Sequence, residues 1–258
     1  MLTIEQIEQS YEEKLRPFKR NILREYLQYK ILDIIFNSEF SSKMVFIGGT
    51  ALRIIYGNTR FSEDLDFDNL GLSEEDFLQL SEKIKKGLEL EGYGVEIDNI
   101  FKGAYRCIIK LPEVLFDNNL SAYKEEKILI QVDTTFQNFK YVADKKIINK
   151  FDVFTQINVA PLSVLLFQKI HALLNRKRDK GRDFYDVLFL LQLVKPDYDY
   201  LNNKLEIKNG AGLRERLLLK IKETDLKDLS RDVEPFLFNP SDSKKIIMFE
   251  EYIGQADL

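Results

Sequence analysis

One segment near the N-terminus sets most of what this chain can fold into. Residues 44–48, MVFIG, form a short apolar run typical of a buried strand, and the pair Gly48 and Gly49 ends it. Residues 49–57, GTALRIIYG, predict a short helix, and LDFDN at 65–69 predicts a second strand. A strand, a glycine turn, a helix and another strand in direct succession require a sheet that is covered by helices.

Three aspartates, Asp64, Asp66 and Asp68, alternate with apolar residues along the second predicted strand. Residues i and i+2 of a strand point to the same face, so the pattern predicts three carboxylates on one surface. Crowded like charges repel unless a cation lies among them. With a glycine turn whose backbone can approach a phosphate, the acids predict a triphosphate bound through a divalent metal. The alternative is a tight turn beside a polar sheet edge.

Asp133 ends the apolar run ILIQVD, where an unpaired buried carboxylate is costly. We expect it to be the third carboxylate of a metal site with Asp64 and Asp66; alternatively, it caps the turn that follows. The chain has one cysteine, Cys107, and one histidine, His171, which leaves few ways to build a zinc or iron site. Carboxylate ligands suit Mg²⁺ or Mn²⁺.

The remaining patterns predict an α+β fold. Helical periodicity broken by Pro17 indicates a helical hairpin over residues 2–40, and from Pro161 onward the chain is helical apart from turns. Between them we predict further elements: a helix that Ser73 caps and that runs to Leu90, and strands GVEIDNIF, YRCIIKL and KILIQVDTT. We expect a mixed-sheet core at 1–156 and a helical C-terminal domain at 157–258 that completes the active site.

The helix PLSVLLFQKIHALLNR carries a lysine within its apolar stripe. Lys169 shares a face with leucines at helical spacing, and the next helix carries Asp183 and Asp186 one turn apart. Lys169 is therefore expected either to pair with these acids in a buried ion network or to reach a nucleotide phosphate. His171 lies on the more polar face, where a solvated histidine is the expected role.

The segment RKRDKGR at 176–182 is strongly basic in a chain whose formal net charge is −4. Such a loop is either a solvated connector or a phosphate-binding rim beside an active site. The candidate RNA-binding residues within it are Arg176, Lys177, Arg178 and Lys180. No apolar run reaches the roughly 20 residues that a membrane span needs, and the N-terminus is acidic, so we expect a cytoplasmic protein that does not bind membranes.

Taken together and in order, GGTAL, RFSEDLDF, QKIHALLNR and GRDFYDVLFL resemble the AbiEii-type nucleotidyltransferases, also called the MenT-type toxins of type IV toxin–antitoxin and abortive-infection systems. The resemblance covers residues 44–195. It implies a nucleotidyltransferase-like sheet core, a helical C-terminal part, a divalent metal and transfer of a nucleotide from an NTP. One departure is Thr50, where the wider superfamily more often has serine; either hydroxyl can donate to a phosphate.

The resemblance also implies roles for individual residues. It assigns the phosphate-contacting turn to Gly48, Gly49 and Thr50, the metal-binding pair to Asp64 and Asp66, the family lysine to Lys169, and the RDxxD acids to Asp183 and Asp186. The nucleotide-binding set that we expect includes the turn residues together with Lys169, Asp183 and Asp186, and we add Arg60 and Ser62 to it. We expect Asp133 to help activate the attacking hydroxyl. Lys169 and Arg60 are expected to neutralise triphosphate charge.

The sequence thus predicts a metal-dependent nucleotidyltransferase. An RNA hydroxyl, with the 3′ end of tRNA as the expected acceptor, would attack the α-phosphate of an NTP and release pyrophosphate. The protein would act as a toxin with a cognate antitoxin. Two alternatives stay open at this point: transfer to a protein or small-molecule hydroxyl, and a non-catalytic module that binds NTP without turnover.

Overall fold

The structure, a computed structural model, describes residues 2–137 and 139–258. The chain divides into two units: the first is the chain up to Tyr56 together with Phe61–Val159, and the second is Gly57–Arg60 together with Ala160–Leu258. The boundary that we expected between residues 156 and 157 falls inside the last strand of the first unit, Val153–Val159. The short segment Gly57–Arg60 was not expected in the second unit.

The first unit is built on a mixed sheet. Its strands are β1 Met44–Ile47, β2 Leu65–Asn69, β3 Glu96–Phe101, β4 Tyr105–Leu111, β5 Ile128–Thr135, β6 Asp144–Lys150 and β7 Val153–Val159. Within the described residues they form one seven-stranded sheet in the order β3-β4-β5-β2-β1-β7-β6. The pairs β2–β5 and β1–β7 are parallel, and the other neighbours are antiparallel. The predicted α+β fold with a mixed sheet is confirmed.

Helices cover this sheet. They are α1 Ile4–Glu8, α2 Lys19–Phe36, α3 Gly48–Tyr56, α4 Glu74–Leu90 and α5 Val114–Asp117. The hairpin expected at the N-terminus is the short α1, a 3-10 turn and the long α2, which begins two residues after Pro17. α2 packs against β7 and α4. Ser73 caps α4 as predicted, because its hydroxyl accepts from the Asp76 amide while the Asp76 carboxylate accepts from the Ser73 amide.

The second unit is helical, as the sequence predicted. Its helices are α6 Leu162–Asn175, α7 Gly181–Leu191, α8 Tyr198–Leu205, α9 Gly210–Lys222, α10 Leu226–Val233, α11 Lys244–Ile247 and α12 Phe249–Gln255. α7 packs against α6 and α10, and a Cβ at Gly181 would lie 2.0 Å from the Leu229 carbonyl oxygen. Over residues 2–137 and 139–258, no helix combines the length and apolar character needed to cross a bilayer.

A buried carboxylate ties α2 and α3 to the edge of the sheet. Glu25 on α2 accepts two hydrogen bonds from Arg53 of α3, at 2.8 and 3.2 Å, one from Lys150 of β6 at 2.9 Å and one from the Tyr11 hydroxyl at 2.8 Å. Burial alone would raise the pKa of Glu25, but the charges of Arg53 and Lys150 outweigh it and hold that pKa below its ordinary value. Glu25 is therefore ionised and saturated with partners.

We expect Glu25→Gln to destabilise the first unit by about 3–5 kcal/mol, because it leaves two half-buried cations, Arg53 and Lys150, without their anion. The matched control is Glu82→Gln on α4, since Glu82 is exposed and its substitution should change stability by less than about 0.5 kcal/mol. Urea denaturation of both variants measures the difference. Equal stability of the two variants would show that the Glu25 cluster contributes nothing net.

Candidate active site

Gly48, the first residue of α3, is required by both its backbone and its surroundings. Its φ is +78°, a conformation that residues with side chains rarely adopt. A Cβ added at this position would lie 2.3 Å from Oδ2 of Asp66. The Asp66 carboxylate therefore lies directly against the glycine turn at the start of α3, where backbone amides lack helical partners.

A row of paired residues crosses the sheet at this point. Asp66 on β2 is the register partner of Ile47 on β1 and of Asp133 on β5. Asp133 is in turn the partner of Arg106 on β4. Directly paired residues share one face of a sheet, so the row Arg106, Asp133 and Asp66 ends beside Gly48. The structure thus brings together two of the predicted metal ligands, from strands that are separate in sequence.

The segment before β2 fixes the backbone of Asp64. The Thr50 hydroxyl, which is buried, donates to the Asp64 carbonyl oxygen. The buried Gln28 amide donates to the carbonyl oxygens of Ser62 and Glu63, at 3.0 and 2.9 Å. Thr50 was expected to donate to a phosphate, but in this structure its hydroxyl is committed to the backbone that carries the first aspartate. Ser62, also predicted to bind nucleotide, uses its backbone carbonyl to accept the hydrogen bond from Gln28.

The side chain of Asp64 is held at one oxygen and lies in an acidic environment. Gln131 donates to its Oδ1 at 3.2 Å. Burial, followed by the nearby negative charges of Glu63 and Asp133, raises the pKa of Asp64 above its ordinary value. A half-buried carboxylate with a raised pKa among other acids favours a cation close by.

Asp133 has such a cation within the protein. Arg106 Nε and Nη2 donate to the two carboxylate oxygens of Asp133, each at 2.8 Å. Its hydrogen bonds to Asp133 and the charge of Asp133, with smaller contributions from Asp64 and Asp66, raise the pKa of Arg106. The sequence patterns did not reveal Arg106, because only the register of β4 on β5 identifies it as a partner.

The donor chemistry of these residues fits a hard divalent metal. Asp64 and Asp66 supply carboxylate oxygens of the kind that Mg²⁺ and Mn²⁺ prefer. In the part of the chain that the structure describes, no group of three or more acidic, histidine or cysteine side chains is arranged to hold an ion. Asp133 is engaged by Arg106, so its place as third ligand stays a prediction.

Asp68 does not join this set. It shares the strand face of Asp66, as the alternation predicted, but it is buried and accepts from the Tyr141 hydroxyl at 2.7 Å and the Gln137 amide at 3.1 Å. Its role is to anchor the segment after β5. Asp64 lies before the start of β2, so the three aspartates do not form one continuous strand row.

The second unit contains the predicted ion network between α6 and α7. Asp186 is fully buried and accepts from Arg60 at 2.7 and 2.6 Å and from Asn58 at 2.8 Å, and Lys169 lies 2.8 Å from it. Lys169 also pairs with Asp183 at 3.2 Å. Against the effect of burial, the charges of Arg60 and Lys169 lower the pKa of Asp186 to about 2.

These contacts bear on two expected nucleotide-binding residues. The Arg60 side chain is 2% exposed, and its Nε and Nη2 donate to the two carboxylate oxygens of Asp186. In this structure Arg60 therefore neutralises a protein carboxylate. The Lys169 side chain is 14% exposed and pairs with Asp183 and Asp186, as expected if it belongs to a buried ion network. Contact of either cation with a nucleotide stays a prediction.

The basic loop is partly structural. Arg176 pairs with Asp183 at 3.0 Å, and the Arg182 guanidinium lies 4.5 Å from the centre of the Phe236 ring. Asp179 within the loop pairs with Lys220 of α9 at 2.7 Å. The other three basic residues lie between these anchors: Lys177 and Arg178 are exposed, and Lys180 is half-buried. His171 is exposed, consistent with the solvated histidine that the sequence predicted.

Comparison with known proteins identifies a family. The profile described as "Nucleotidyl transferase AbiEii toxin, Type IV TA system" matches residues 30–246. Two solved structures share the fold at 18% identity: JHP933 from Helicobacter pylori, with a TM-score of 0.53, and a candidate nucleotidyltransferase from H. pylori, with a TM-score of 0.54. Each alignment covers 90% of this chain, and 91% and 93% of the respective neighbour. No curated protein sequence matches significantly.

Gly48→Ala should cost more than the backbone strain alone, because the new methyl group must displace the Asp66 carboxylate. The control is Gly57→Ala at the other end of α3, where φ is +76° and nothing lies within 4 Å of the added Cβ. The control should lose about 1–2 kcal/mol, and Gly48→Ala clearly more, with loss of Mn²⁺ binding as well. Denaturation and Mn²⁺ titration compare the two; identical losses and retained binding would contradict the contact.

Lys169→Met tests whether the buried lysine is structural. It removes a charge from two buried acids without leaving a large void, and we expect a loss of about 3–5 kcal/mol. Thermal melts beside nucleotide titrations separate the two roles. A large fall in melting temperature with unchanged nucleotide affinity assigns Lys169 to the core; weakened binding with an unchanged melting temperature would contradict that assignment.

Proposed function

Because the chain belongs to the AbiEii family of nucleotidyltransferase toxins of type IV toxin–antitoxin systems, we propose that it transfers a nucleotide from an NTP to an RNA hydroxyl in a reaction that depends on Mg²⁺ or Mn²⁺. The family implies a cognate antitoxin. The 3′ end of tRNA is the acceptor that we propose. One observation carries the proposal: the Asp66 carboxylate is seated against the glycine turn that begins α3.

That arrangement suits a metal-bound triphosphate. Backbone amides at the start of α3 can donate to phosphate oxygens, and the helix end carries partial positive charge. Asp64 and Asp66 are the proposed metal ligands, and the cation would supply positive charge against the triphosphate and lower the pKa of the attacking hydroxyl. A phosphate and a carboxylate-bound cation would then meet at Gly48, where the absence of a side chain lets the Asp66 carboxylate lie against the turn.

The chain's own residues would do the positioning. Thr50 and Gln28 hold the backbone that leads to Asp64, and Gln131 fixes one oxygen of its carboxylate. Fixed ligands supply catalysis through orientation and charge neutralisation rather than through a covalent intermediate. In-line attack by an acceptor hydroxyl on the α-phosphorus would break its bond to the bridging oxygen and release pyrophosphate.

The activity is tested by incubating the protein and Mg²⁺ with each α-³²P-labelled NTP and total cellular RNA or protein. We expect label in the RNA fraction, with tRNA as the main labelled species. Label in protein or in a small molecule would support a different acceptor, and binding of NTP without any transfer would indicate a non-catalytic module.

Asp64→Asn and Asp66→Asn should each abolish transfer, by about 10³-fold or more, because each removes a metal ligand. The control is Asp98→Asn, an exposed acid on β3 that pairs with Lys110 away from the carboxylate row. The two active-site variants should retain wild-type melting temperatures or exceed them, because they relieve repulsion. Full activity of either variant would remove that residue from the metal site.

The basic loop is proposed as the surface that binds RNA, since an acidic protein needs a local positive surface to hold a polyanion. Arg176 and Arg182 are left intact because they have structural partners. The triple variant Lys177→Gln/Arg178→Gln/Lys180→Gln should lower RNA affinity and reduce the salt slope by roughly 0.7 for each phosphate that the loop no longer neutralises. NTP binding should be spared, because the glycine turn and the aspartates belong to other elements.

The control for this variant removes the same charge elsewhere on the second unit, as Lys204→Gln/Lys208→Gln/Lys222→Gln, all at exposed positions. RNA affinity measured over a range of salt concentrations compares the two. An equal effect of both triple variants would show that net charge, and not the loop, holds the RNA. No effect of either would favour a protein or small-molecule acceptor.

A further inference from the structure

We propose that Arg106 is a built-in counter-ion that shields Asp133 in the nucleotide-free protein and then turns to bind the phosphates of the incoming NTP. The identity of the anion rests on the proposed function; the shielding of Asp133 does not. Arg106 would thus be a substrate-binding residue that also controls when the third carboxylate becomes available to a metal.

The position of Arg106 supports this role. Arg106, Asp133 and Asp66 are register partners on three adjacent strands, and the row ends at the Gly48 turn where the phosphates are proposed to bind. The guanidinium therefore lies on the same sheet face as the proposed metal ligands. Its planar fork fits phosphate oxygens as well as it fits a carboxylate.

The charge of the site supports the same role. Asp64, Asp66 and Asp133 carry three negative charges when ionised, and Arg106 cancels one of them. The pair of acids that remains suits a single divalent cation, whereas all three acids together would suit two divalent cations. An arginine on Asp133 therefore limits metal binding until the NTP arrives with a divalent cation of its own: its phosphates would attract Arg106, and its cation would replace Arg106 at Asp133.

Exposure distinguishes this ion pair from a structural one, and the chain supplies its own comparison. Arg106 is 45% exposed and Asp133 is 20% exposed, whereas Arg60 and Asp186 in the second unit are 2% and 0% exposed. Partly exposed ion pairs contribute little net stability, because water solvates the partners when they separate. The Arg106–Asp133 pair can therefore exchange partners at low cost, while the Arg60–Asp186 pair is locked in place.

The experiment measures Mn²⁺ binding by electron paramagnetic resonance in the absence of nucleotide. Arg106→Gln should bind Mn²⁺ roughly tenfold more tightly than the wild type, because it frees the Asp133 carboxylate to become a metal ligand. Lys110→Gln is the matched control: Lys110 lies on the same strand and face, pairs with Asp98, and should change the affinity less than about twofold.

A double variant isolates Asp133. In an Asp133→Asn background the gain from Arg106→Gln should disappear, because no third carboxylate is left to free. Unchanged Mn²⁺ affinity in Arg106→Gln overturns the proposal and makes the pair a cross-strand salt bridge only. A gain that persists in the Asp133→Asn background also overturns it, because the arginine would then act through its long-range field.

Phosphate binding by Arg106 has its own readout. Affinity for a non-hydrolysable NTP analogue, measured with Mn²⁺ at saturation for every variant, should fall about tenfold in Arg106→Gln and stay unchanged in Lys110→Gln. Equal affinity in Arg106→Gln and the wild type overturns that part of the proposal. If the wild type transfers no label to any acceptor but the Mn²⁺ results hold, the proposed function fails and the shielding of Asp133 stands.

Discussion

The contact between Gly48 and the Asp66 carboxylate is the constraint on which the first unit depends. A side chain at Gly48 would occupy the place of Asp66 Oδ2. The turn between β1 and α3 can therefore pack against β2 only if this residue is glycine. The pairing of β1 with β2 brings the two residues together, and α3 can begin only at this turn. Helix α2 stabilises this arrangement. Its Gln28 donates to the backbone carbonyls of the segment before β2, and its Glu25 accepts from Arg53 of α3.

Two kinds of charged cluster are built from the same residue types. Glu25 and Asp186 are buried, each has several cationic or hydrogen-bonding partners, and the pKa of each lies below its ordinary value. Asp64 is half-buried in an acidic environment, and its pKa is raised. Clusters of the first kind stabilise the fold. The second kind has excess negative charge, which an external cation can neutralise. The direction of the pKa shift alone does not make this distinction, because burial also raises the pKa of Asp68, which anchors the segment after β5.

The local elements of the site could be predicted from the sequence. Apolar runs, the Gly48–Gly49 pair and the capping box at Ser73 are short-range patterns, and the structure places β1, α3, β2 and α4 within a residue or so of their predicted bounds. Strands β6 and β7 were missed. β6 is mostly polar and carries exposed lysines such as Lys145 and Lys146, whereas β7 is an inner strand whose alternation was overlooked. Edge strands of this composition lack the apolar alternation on which such predictions depend.

Partnerships across the sheet could not be predicted. The pairing of Arg106 with Asp133 depends on the register of β4 on β5. The hydrogen bond from the Tyr141 hydroxyl to Asp68 depends on a segment far along the chain. The inclusion of Arg60 with the second unit is likewise tertiary, because its partner Asp186 is distant in sequence. Sequence patterns singled out most of the candidate residues; only the structure distinguished acids that a protein cation neutralises from Asp64, whose acidic environment favours an external cation.

The most direct test of the proposed site is a crystal structure with Mn²⁺ and a non-hydrolysable NTP, in which anomalous scattering locates the metal. We expect an anomalous peak in contact with the carboxylates of Asp64 and Asp66, phosphate oxygens at the Gly48 turn, and the Arg106 guanidinium turned from Asp133 to the triphosphate. A metal and nucleotide bound away from the Gly48 turn, with the row of Arg106, Asp133 and Asp66 unchanged, would contradict it.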